Sequence, residues 1–221
     1  MIIYFVRHGD PDYINDCLTE IGHKQAAAAA ERLATYGITE VYSSAKGRAI
    51  QTAEYTANQL GLSVTPLEFM NEIRWGSING EPILENGHPW FAAIALAAQG
   101  KKINNPDWRN DEPFCNSLIL ENEEKVSREF DAWLTAFGYS REGDYYRVTG
   151  TDTDKTIALF SHSGSSSALL AHLLNIPLPQ FFGMLQLDVT AITSVYFPDT
   201  PNELVYPRLL RLNDAEHIKN L

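Results

Sequence analysis

Near its start the chain carries an apolar run that ends abruptly in polar residues, Tyr4-Phe5-Val6-Arg7-His8-Gly9-Asp10. The run over residues 2–6 is short, β-branched and aromatic, which favours a buried central strand over a helix. Arg7 and His8 would then lie at the carboxyl end of that strand, where open α/β sheets bind their ligands. Taken alone, the heptapeptide is equally compatible with an ordinary basic pair at a strand end, because short motifs match by chance.

The composition is that of a globular protein. The chain has 221 residues, of which 44% are hydrophobic and 20% charged, so we expect one domain over residues 1–221. Twenty-eight acidic residues against 17 basic ones give a net charge of −11, which argues against nucleic-acid or anionic-membrane partners. With two cysteines, no CxxC pair, no signal-peptide pattern and no apolar run long enough for a membrane span, a soluble cytoplasmic protein is expected.

Further along the chain, short apolar runs alternate with segments of helical period. The predicted strands are residues 2–6, 39–43, 62–67, 145–148, 156–160, 193–197 and 204–211. The predicted helices run from the Thr19 cap to Leu33 and over residues 44–60, 121–137 and 165–174, with part of a helix near 89–98. Alternating strands and helices predict an α/β fold, a three-layer α/β/α sandwich with a mainly parallel mixed sheet.

Residues 77–148 interrupt this pattern and are predicted to form an inserted cap within the single domain. Prolines, glycines and isolated aromatics give residues 77–122 no clean period. We interpret Trp75, Trp90 and Trp108 as the core of the cap rather than a platform for substrate, since aromatic residues usually bury. Residues 149–155 lack the glutamate that ends a calcium loop and are predicted to be a polar turn.

Charged residues at three strand ends could meet in one pocket. Arg7 and His8 follow the first strand, Arg48 lies in the first turn of the helix after the second, and His162 follows a later strand. Guanidinium groups bind phosphoryl oxygens in a bidentate manner, and helices starting near Ser44 and Ser165 would add free N–H groups. The pattern therefore favours a phosphate site.

Histidine in such a pocket could also react. A neutral imidazole can attack phosphorus and divide one displacement into two easier steps. The leaving alkoxide then needs a proton, for which Glu72 is the candidate because Met70 and Trp75 would desolvate it and raise its pKa. Glu68 and Glu81 are close enough in the sequence to compete for this role.

Five stretches of the chain resemble the histidine phosphatase superfamily, which includes the cofactor-dependent phosphoglycerate mutases. They occur in the family's order and cover most of the chain outside residues 77–148. They are Phe5-Val6-Arg7-His8-Gly9; Leu18-Thr19-Glu20-Ile21-Gly22 with Gln25-Ala26; Tyr42-Ser43-Ser44-Ala45-Lys46-Gly47-Arg48-Ala49-Ile50-Gln51-Thr52-Ala53; Asn71-Glu72 with Gly76; and Ser161-His162.

The resemblance implies the family's sandwich fold and roles for five residues. It makes His8 the nucleophile that becomes phosphorylated, Arg7, Arg48 and His162 the groups that bind phosphate, and Glu72 the proton donor. His162 thus belongs to both the catalytic and the phosphate-binding set. The implied enzyme is a phosphatase of the histidine acid phosphatase type that acts on a small phosphorylated metabolite, with no cofactor and no metal.

Two departures from the family pattern bear on the activity. Asp10 stands where glutamate is common, and its role is left open. The loop from Pro11 to Leu18 is short and lacks the usual Trp-Asn pair, so Asn15 is the candidate for the phosphate contact. Because a mutase must hold a second phosphate, the short loop favours hydrolysis and leaves a phosphoglycerate mutase-type transferase as the alternative.

Two other functions remain open. Ser161-His162-Ser163-Gly164-Ser165 resembles the nucleophile elbow of a serine esterase, and Ser163, Asp188 or Asp214, and His217 follow the α/β-hydrolase order. The same pocket could also belong to a phosphate-binding module without turnover. Arg109 is interpreted as solvated, and we expect no functional partners for His23, His88, His172 or His217.

Overall fold

The computed structural model describes residues 1–81, 83, 88–150 and 154–221. Its strands are β1 Ile2–Arg7, β2 Pro11–Asp12, β3 Cys17–Leu18, β4 Glu40–Ser44, β5 Val64–Leu67, β6 Tyr139–Glu142, β7 Tyr145–Val148, β8 Thr156–Ser161, β9 Ile192–Tyr196, β10 Leu204–Val205 and β11 Arg208–Asp214. Its α-helices are α1 Glu20–Leu33, α2 Gly47–Leu60, α3 Pro89–Ala98, α4 Ile119–Leu134, α5 Ser163–Leu174 and α6 Leu178–Met184.

The central sheet has six strands in the order β11-β9-β1-β8-β4-β5. Strands β1 and β4 both run parallel to β8, and β5 runs parallel to β4. At the other edge, β9 and β11 are antiparallel. The mainly parallel mixed sheet predicted from the sequence is therefore confirmed.

Helices cover both faces of this sheet because successive strand residues point to opposite sides. Phe5 and Leu159 face the cluster that contains α4 and α5. Val6 and Phe160 face the cluster on the side of α1 and α2. The β1 and β8 strands are thus buried on both faces, which explains their nearly continuous apolar sequence.

Residues 77–148 contain several elements that pack in different places. Helix α3 packs against α6, whereas α4 packs against α5 beside the central sheet. The β6–β7 hairpin pairs with β10 in a separate three-stranded sheet. The division of the chain into one domain with a cap over residues 77–148 stays a prediction.

Some sequence predictions of elements were incomplete or wrong. The single strand predicted over residues 204–211 is two strands in different sheets, because Pro207 breaks the run and cannot donate a ladder hydrogen bond. Strand β6 and the seven-residue α6 were not predicted, and α6 lies among prolines that obscure its period. Of the predicted polar turn over residues 149–155, positions 151–153 lie outside the described residues.

Within the described chain, no helix has both the length and the apolar character needed to cross a membrane.

We expect Phe130→Ala to destabilise the fold by about 3–5 kcal/mol, because it leaves a cavity between α4 and the sheet. Phe130 is fully buried, and its ring centroid lies 6.2 Å from that of Phe5. Phe91, which is 49% exposed on α3, is the matched control for Phe→Ala. Urea denaturation of both variants checks this expectation, and equal losses would contradict the packing described.

Candidate active site

The three parallel strands β1, β8 and β4 end at one edge of the sheet and bring the predicted residues together. Arg7 of β1 is in register with Ser161 of β8, and the backbone N–H of His8 donates to the Ser161 carbonyl at 2.9 Å. The rings of His8 and His162 lie 5.1 Å apart, and Arg48 Nε lies 3.4 Å from His8 Nε2. The convergence predicted from the sequence is present in the structure.

The reactive nitrogen of His8 can be identified from its hydrogen bonds. His8 Nδ1 lies 2.7 Å from the Gly9 carbonyl oxygen, which can only accept. Nδ1 must therefore carry the proton in the neutral ring, which leaves the lone pair on Nε2. That lone pair lies on the side of the ring next to Arg48.

Both imidazoles are held in the neutral form. His8 and His162 are almost fully buried. Burial, with a smaller contribution from the guanidiniums of Arg7 and Arg48, lowers the pKa of His8 from 6.5 to about 3. Burial and the neighbouring His8 lower the pKa of His162 further still. A neutral His8 is available as a nucleophile, and the pocket keeps an excess of positive charge for an anion.

His162 is anchored through a serine at the end of β4. Ser44 Oγ lies 2.7 Å from His162 Nε2 and 2.9 Å from the side-chain oxygen of Asn71. The Nδ1 atom of His162 is buried without a hydrogen-bond partner among the described residues. Because the Ser44 hydroxyl donates to Asn71, Nε2 carries the proton of the neutral ring, and the unpaired Nδ1 can bind a phosphoryl oxygen that brings a proton to it.

Arg7 is fixed at one end and unpaired at the other. Its Nη1 donates to the Leu187 carbonyl at 2.6 Å, whereas its buried Nε has no partner in the described chain. Arg48 lies in the first turn of α2, as predicted, although that helix starts at Gly47 rather than near Ser44. Both side chains line the same cavity.

Glu72 lies over the amino terminus of α5 and faces the same cavity. Its carboxyl oxygens accept the backbone N–H of Ser165 at 3.0 Å and of Gly164 at 3.4 Å. A Cβ on Gly164 would come within 2.6 Å of Glu72 Oε1, so this approach requires a glycine. Burial raises the pKa of Glu72, although these N–H groups and that of Ile73 oppose the shift. Glu72 is thus placed and tuned to hold a proton.

Asp16 is a site residue that the sequence did not reveal. Its carboxylate forms an ion pair with Arg48 Nη1 and accepts the Gly47 backbone N–H at 3.0 Å. Partial burial acts to raise the pKa of Asp16, but these two hydrogen bonds hold it below its usual value. An anion thus already lies at the start of α2. Its place in an irregular loop gave no signal beyond the residue type.

The structure does not bring Asn15 to the phosphate site. Asn15 is exposed, and its amide donates to the Asp12 carboxylate at 2.7 Å. Tyr13 before it lines the cavity and Asp16 after it pairs with Arg48, but Asn15 is not among the lining residues, so the predicted phosphate contact has no support in this arrangement. Asp10 has a structural partner, since it accepts the Thr19 hydroxyl at 2.7 Å beside the cap of α1.

The cavity beside the histidines has a volume of about 380 Å³. Trp75 and Trp90 line it and also pack against the hydrophobic core, so they are not core residues alone, whereas Trp108 is buried as expected. His88, which was given no partner, lies 4.5 Å from the Trp75 ring and also lines the cavity. Trp75, His88 and Trp90 do not recur at a helical or strand spacing in the sequence, so the sequence could not show that they meet.

Arg109 is exposed, in agreement with its interpretation as solvated, and its Nη2 also donates to Glu123 at 2.6 Å. The candidate esterase residues do not form a hydrogen-bonded triad. His217 Nε2 lies 3.1 Å from the Thr190 hydroxyl, and Asp214 is paired with Arg32. Asp188 accepts the Asn213 amide at 3.0 Å. Ser163 begins α5 at the cavity, apart from this cluster.

The arrangement is suited to a phosphoryl group. The guanidiniums of Arg7 and Arg48 and the unpaired nitrogen of His162 would surround the oxygens, and His8 Nε2 would face phosphorus. The N–H of Gly47 at the start of α2 is not available to them, because it donates to Asp16. Within the described residues, no group of three or more His, Cys, Asp or Glu side chains is placed to hold a metal ion.

Comparison with known proteins agrees with this geometry. The model of the histidine phosphatase superfamily (branch 1) matches residues 3–208. A probable phosphoglycerate mutase GpmB of Yersinia pestis is 34% identical in an alignment of 113 positions that covers 46% of this chain and 53% of that protein. The chain therefore spans about half the length of the mutase-type relatives that it matches.

Solved structures resemble the chain over almost its whole length. A mycobacterial glucosyl-3-phosphoglycerate phosphatase in complex with inorganic phosphate is 26% identical with a TM-score of 0.63, covering 97% of this chain and 98% of that chain. A phosphoserine phosphatase from Entamoeba histolytica in complex with 3-phosphoglyceric acid has a TM-score of 0.65 at 21% identity, covering 98% of both chains. The second similarity concerns the fold alone.

We expect the free energy of unfolding to decrease as the pH falls from 6.5 towards 3. The unfolded chain takes up protons on His8 and His162 in this range, whereas the folded protein, with both pKa values lowered, does not. Each such histidine adds about 1.4 kcal/mol per pH unit to the slope. Urea denaturation of wild type and His8→Asn, whose amide does not titrate, should show a shallower decrease in the variant; identical slopes would contradict a neutral buried His8.

Proposed function

Because the chain belongs to the histidine phosphatase superfamily, we propose that it is a phosphomonoester hydrolase of the histidine acid phosphatase type that works through a phosphohistidine on His8. The observation that carries this proposal is the hydrogen bond from His8 Nδ1 to the Gly9 carbonyl. It leaves the lone pair on Nε2, which accepts a long hydrogen bond from Arg48 Nε at 3.4 Å and lies on a ring 5.1 Å from that of His162. The expected substrate is a small phosphorylated metabolite.

In the first step, His8 Nε2 attacks phosphorus and the bond from phosphorus to the ester oxygen breaks. Glu72 gives its proton to that oxygen, so the product leaves as a neutral alcohol. Arg7, Arg48 and His162 hold the phosphoryl oxygens and stabilise the charge that they carry in the transition state.

In the second step, water attacks the phosphohistidine. The Glu72 carboxylate accepts a proton from this water, the nitrogen–phosphorus bond breaks, and inorganic phosphate is released. Glu72 is thereby returned to its protonated form and His8 to the neutral ring. Glu72 thus acts as the acid in the first half-reaction and as the base in the second.

The mutase-type relatives make phosphoryl transfer the alternative function. A mutase must bind a second phosphate, for which arginine or lysine is needed at the far side of the cavity. In the described part of the chain, the cations that line the cavity are Arg7 and Arg48, both beside His8. This favours hydrolysis. A module that binds phosphate without turnover is disfavoured, because both histidines and Glu72 are in place.

We expect His8→Ala to lower kcat for 4-nitrophenyl phosphate by at least about 1,000-fold, because removal of a nucleophile abolishes the covalent route. Intact-mass measurement after an alkaline quench, in which phosphohistidine survives, should find the phosphoryl adduct in wild type and not in this variant. His23→Ala, on α1, is the matched control and should keep both activity and adduct. Full activity in His8→Ala would contradict the proposal.

We expect Glu72→Gln to act selectively on substrates whose leaving group needs a proton. For an alkyl phosphate kcat should fall by about 10²–10⁴-fold, the usual contribution of general acid catalysis. For 4-nitrophenyl phosphate, whose leaving anion is stable, the fall in the phosphorylation rate should be much smaller. Rapid-quench kinetics with both esters measures this difference.

The exposed Glu81 provides the matched control for this substitution. Glu81→Gln should leave both rates unchanged, although Glu81 is near Glu72 in the sequence. Equal losses for the two esters in Glu72→Gln would assign Glu72 a purely structural role at the start of α5.

A further inference from the structure

The cavity has two chemically different ends. Arg7, Arg48 and Glu72 line the end beside His8, where the phosphoryl group would lie. The other end would receive the part of the substrate that leaves with the ester oxygen. Most of the other lining side chains are aromatic or aliphatic, namely Trp75, His88, Trp90, Ile94, Phe182 and Leu185. The rest, Tyr13, Ser163, Ser167 and Gln186, are polar but uncharged.

Ring-to-ring contacts hold this apolar wall together. The His88 ring lies 4.5 Å from that of Trp75 and 4.6 Å from that of Trp90. Trp90 in turn lies 6.0 Å from Phe182 on α6. Because the rings contact one another and keep one side towards the cavity, they form a continuous apolar surface rather than separate residues.

The wall offers no counter-charge for an ionic leaving group. Among the described residues, the charged groups that line the cavity are Arg7, Arg48 and Glu72, all at the reacting end. None of the seven lysines and arginines of residues 77–148, all of which the structure describes, lines this cavity. Lys101 and Lys102, for example, line a different cavity, and Arg109 is paired with Glu123. Positions 82, 84–87 and 151–153, which the structure does not describe, contain no lysine or arginine.

His88 does not change this conclusion. Burial lowers the pKa of His88, so its ring is neutral at physiological pH. A carboxylate or a second phosphate on the substrate would lose its hydration against this wall without gaining an ion pair, which is costly. A strongly hydrated cation such as a primary ammonium would likewise find no carboxylate other than the proton donor Glu72 among the described lining residues.

We propose that the substrate is the phosphate monoester of an uncharged alcohol with an apolar, ring-bearing carbon skeleton, bound against the wall of Trp75, His88 and Trp90. This inference rests on the proposed hydrolase function and names its substrate class. At about 380 Å³, the cavity is near the lower limit for small-molecule sites, so the skeleton is about the size of one or two rings.

Three alkyl phosphates test the proposal, since all of them release an alkoxide oxygen and differ mainly in the group beside it. They are 2-phenylethyl phosphate, which is apolar, 3-phosphoglycerate, which is anionic, and phosphoethanolamine, whose primary ammonium group is cationic. We expect kcat/KM to be highest for 2-phenylethyl phosphate by about 10- to 100-fold, the effect of burying one ring. A preference for either charged ester would overturn the inference.

A second measurement separates the failure of this inference from the failure of the proposed function. The three esters are titrated calorimetrically into His8→Asn, which cannot form the phosphohistidine, so that preference is measured as affinity without turnover. If wild type hydrolyses none of the esters, the hydrolase proposal fails, and the order of affinities still tests the wall. Equal affinities for all three would overturn the inference alone.

Placing a cation in the wall should shift the substrate preference from the apolar ester towards the anionic one. Ile94 lines the cavity and is 52% exposed, so Ile94→Lys should fold. We expect this variant to gain at least about tenfold in the ratio of kcat/KM for 3-phosphoglycerate over 2-phenylethyl phosphate, because it supplies the missing counter-charge. Ile78→Lys, at an exposed position that does not line the cavity, is the matched control and should keep the wild-type ratio. An unchanged ratio in Ile94→Lys would contradict the assigned position of the leaving group.

Discussion

The burial of two neutral imidazoles beside two guanidiniums is the constraint on which the rest of the structure depends. His8 and His162 are almost without solvent contact and lie 5.1 Å apart. Such an arrangement is stable only if neither ring is charged, and the lowered pKa values meet that condition. It also concentrates positive charge from Arg7 and Arg48 where a phosphoryl group would supply the balancing negative charge.

Two glycines allow the backbone to bring acids to this site. Gly47 lies so close to the Asp16 carbonyl that a Cβ would meet it at 2.2 Å, and Gly164 leaves room for Glu72 in the same way. The two acids lie at the amino termini of α2 and α5 but differ in electrostatics. Hydrogen bonds keep the pKa of Asp16 low, whereas burial raises that of Glu72. Only Glu72 is therefore suited to carry a proton to the leaving group.

Site residues that follow a recognisable strand were predictable from the sequence. Site residues that reach the cavity only through tertiary packing were not. The apolar strands ending at Arg7 and His162 defined the sheet and its ligand-binding edge. Asp16 and His88 reach the site through irregular segments, so no period pointed to them. The prolines around α6 and Pro207 broke the patterns from which the last elements were predicted. The substrate-facing wall therefore appeared only in three dimensions.

The stereochemical course at phosphorus tests the central claim, a covalent intermediate on His8, most directly. A phosphate monoester made chiral with oxygen isotopes and sulfur is hydrolysed in isotopically labelled water, and the configuration of the released thiophosphate is determined. Two successive in-line displacements, first by His8 Nε2 and then by water, each invert phosphorus and predict net retention. Net inversion would show a single displacement by water and would contradict the phosphohistidine.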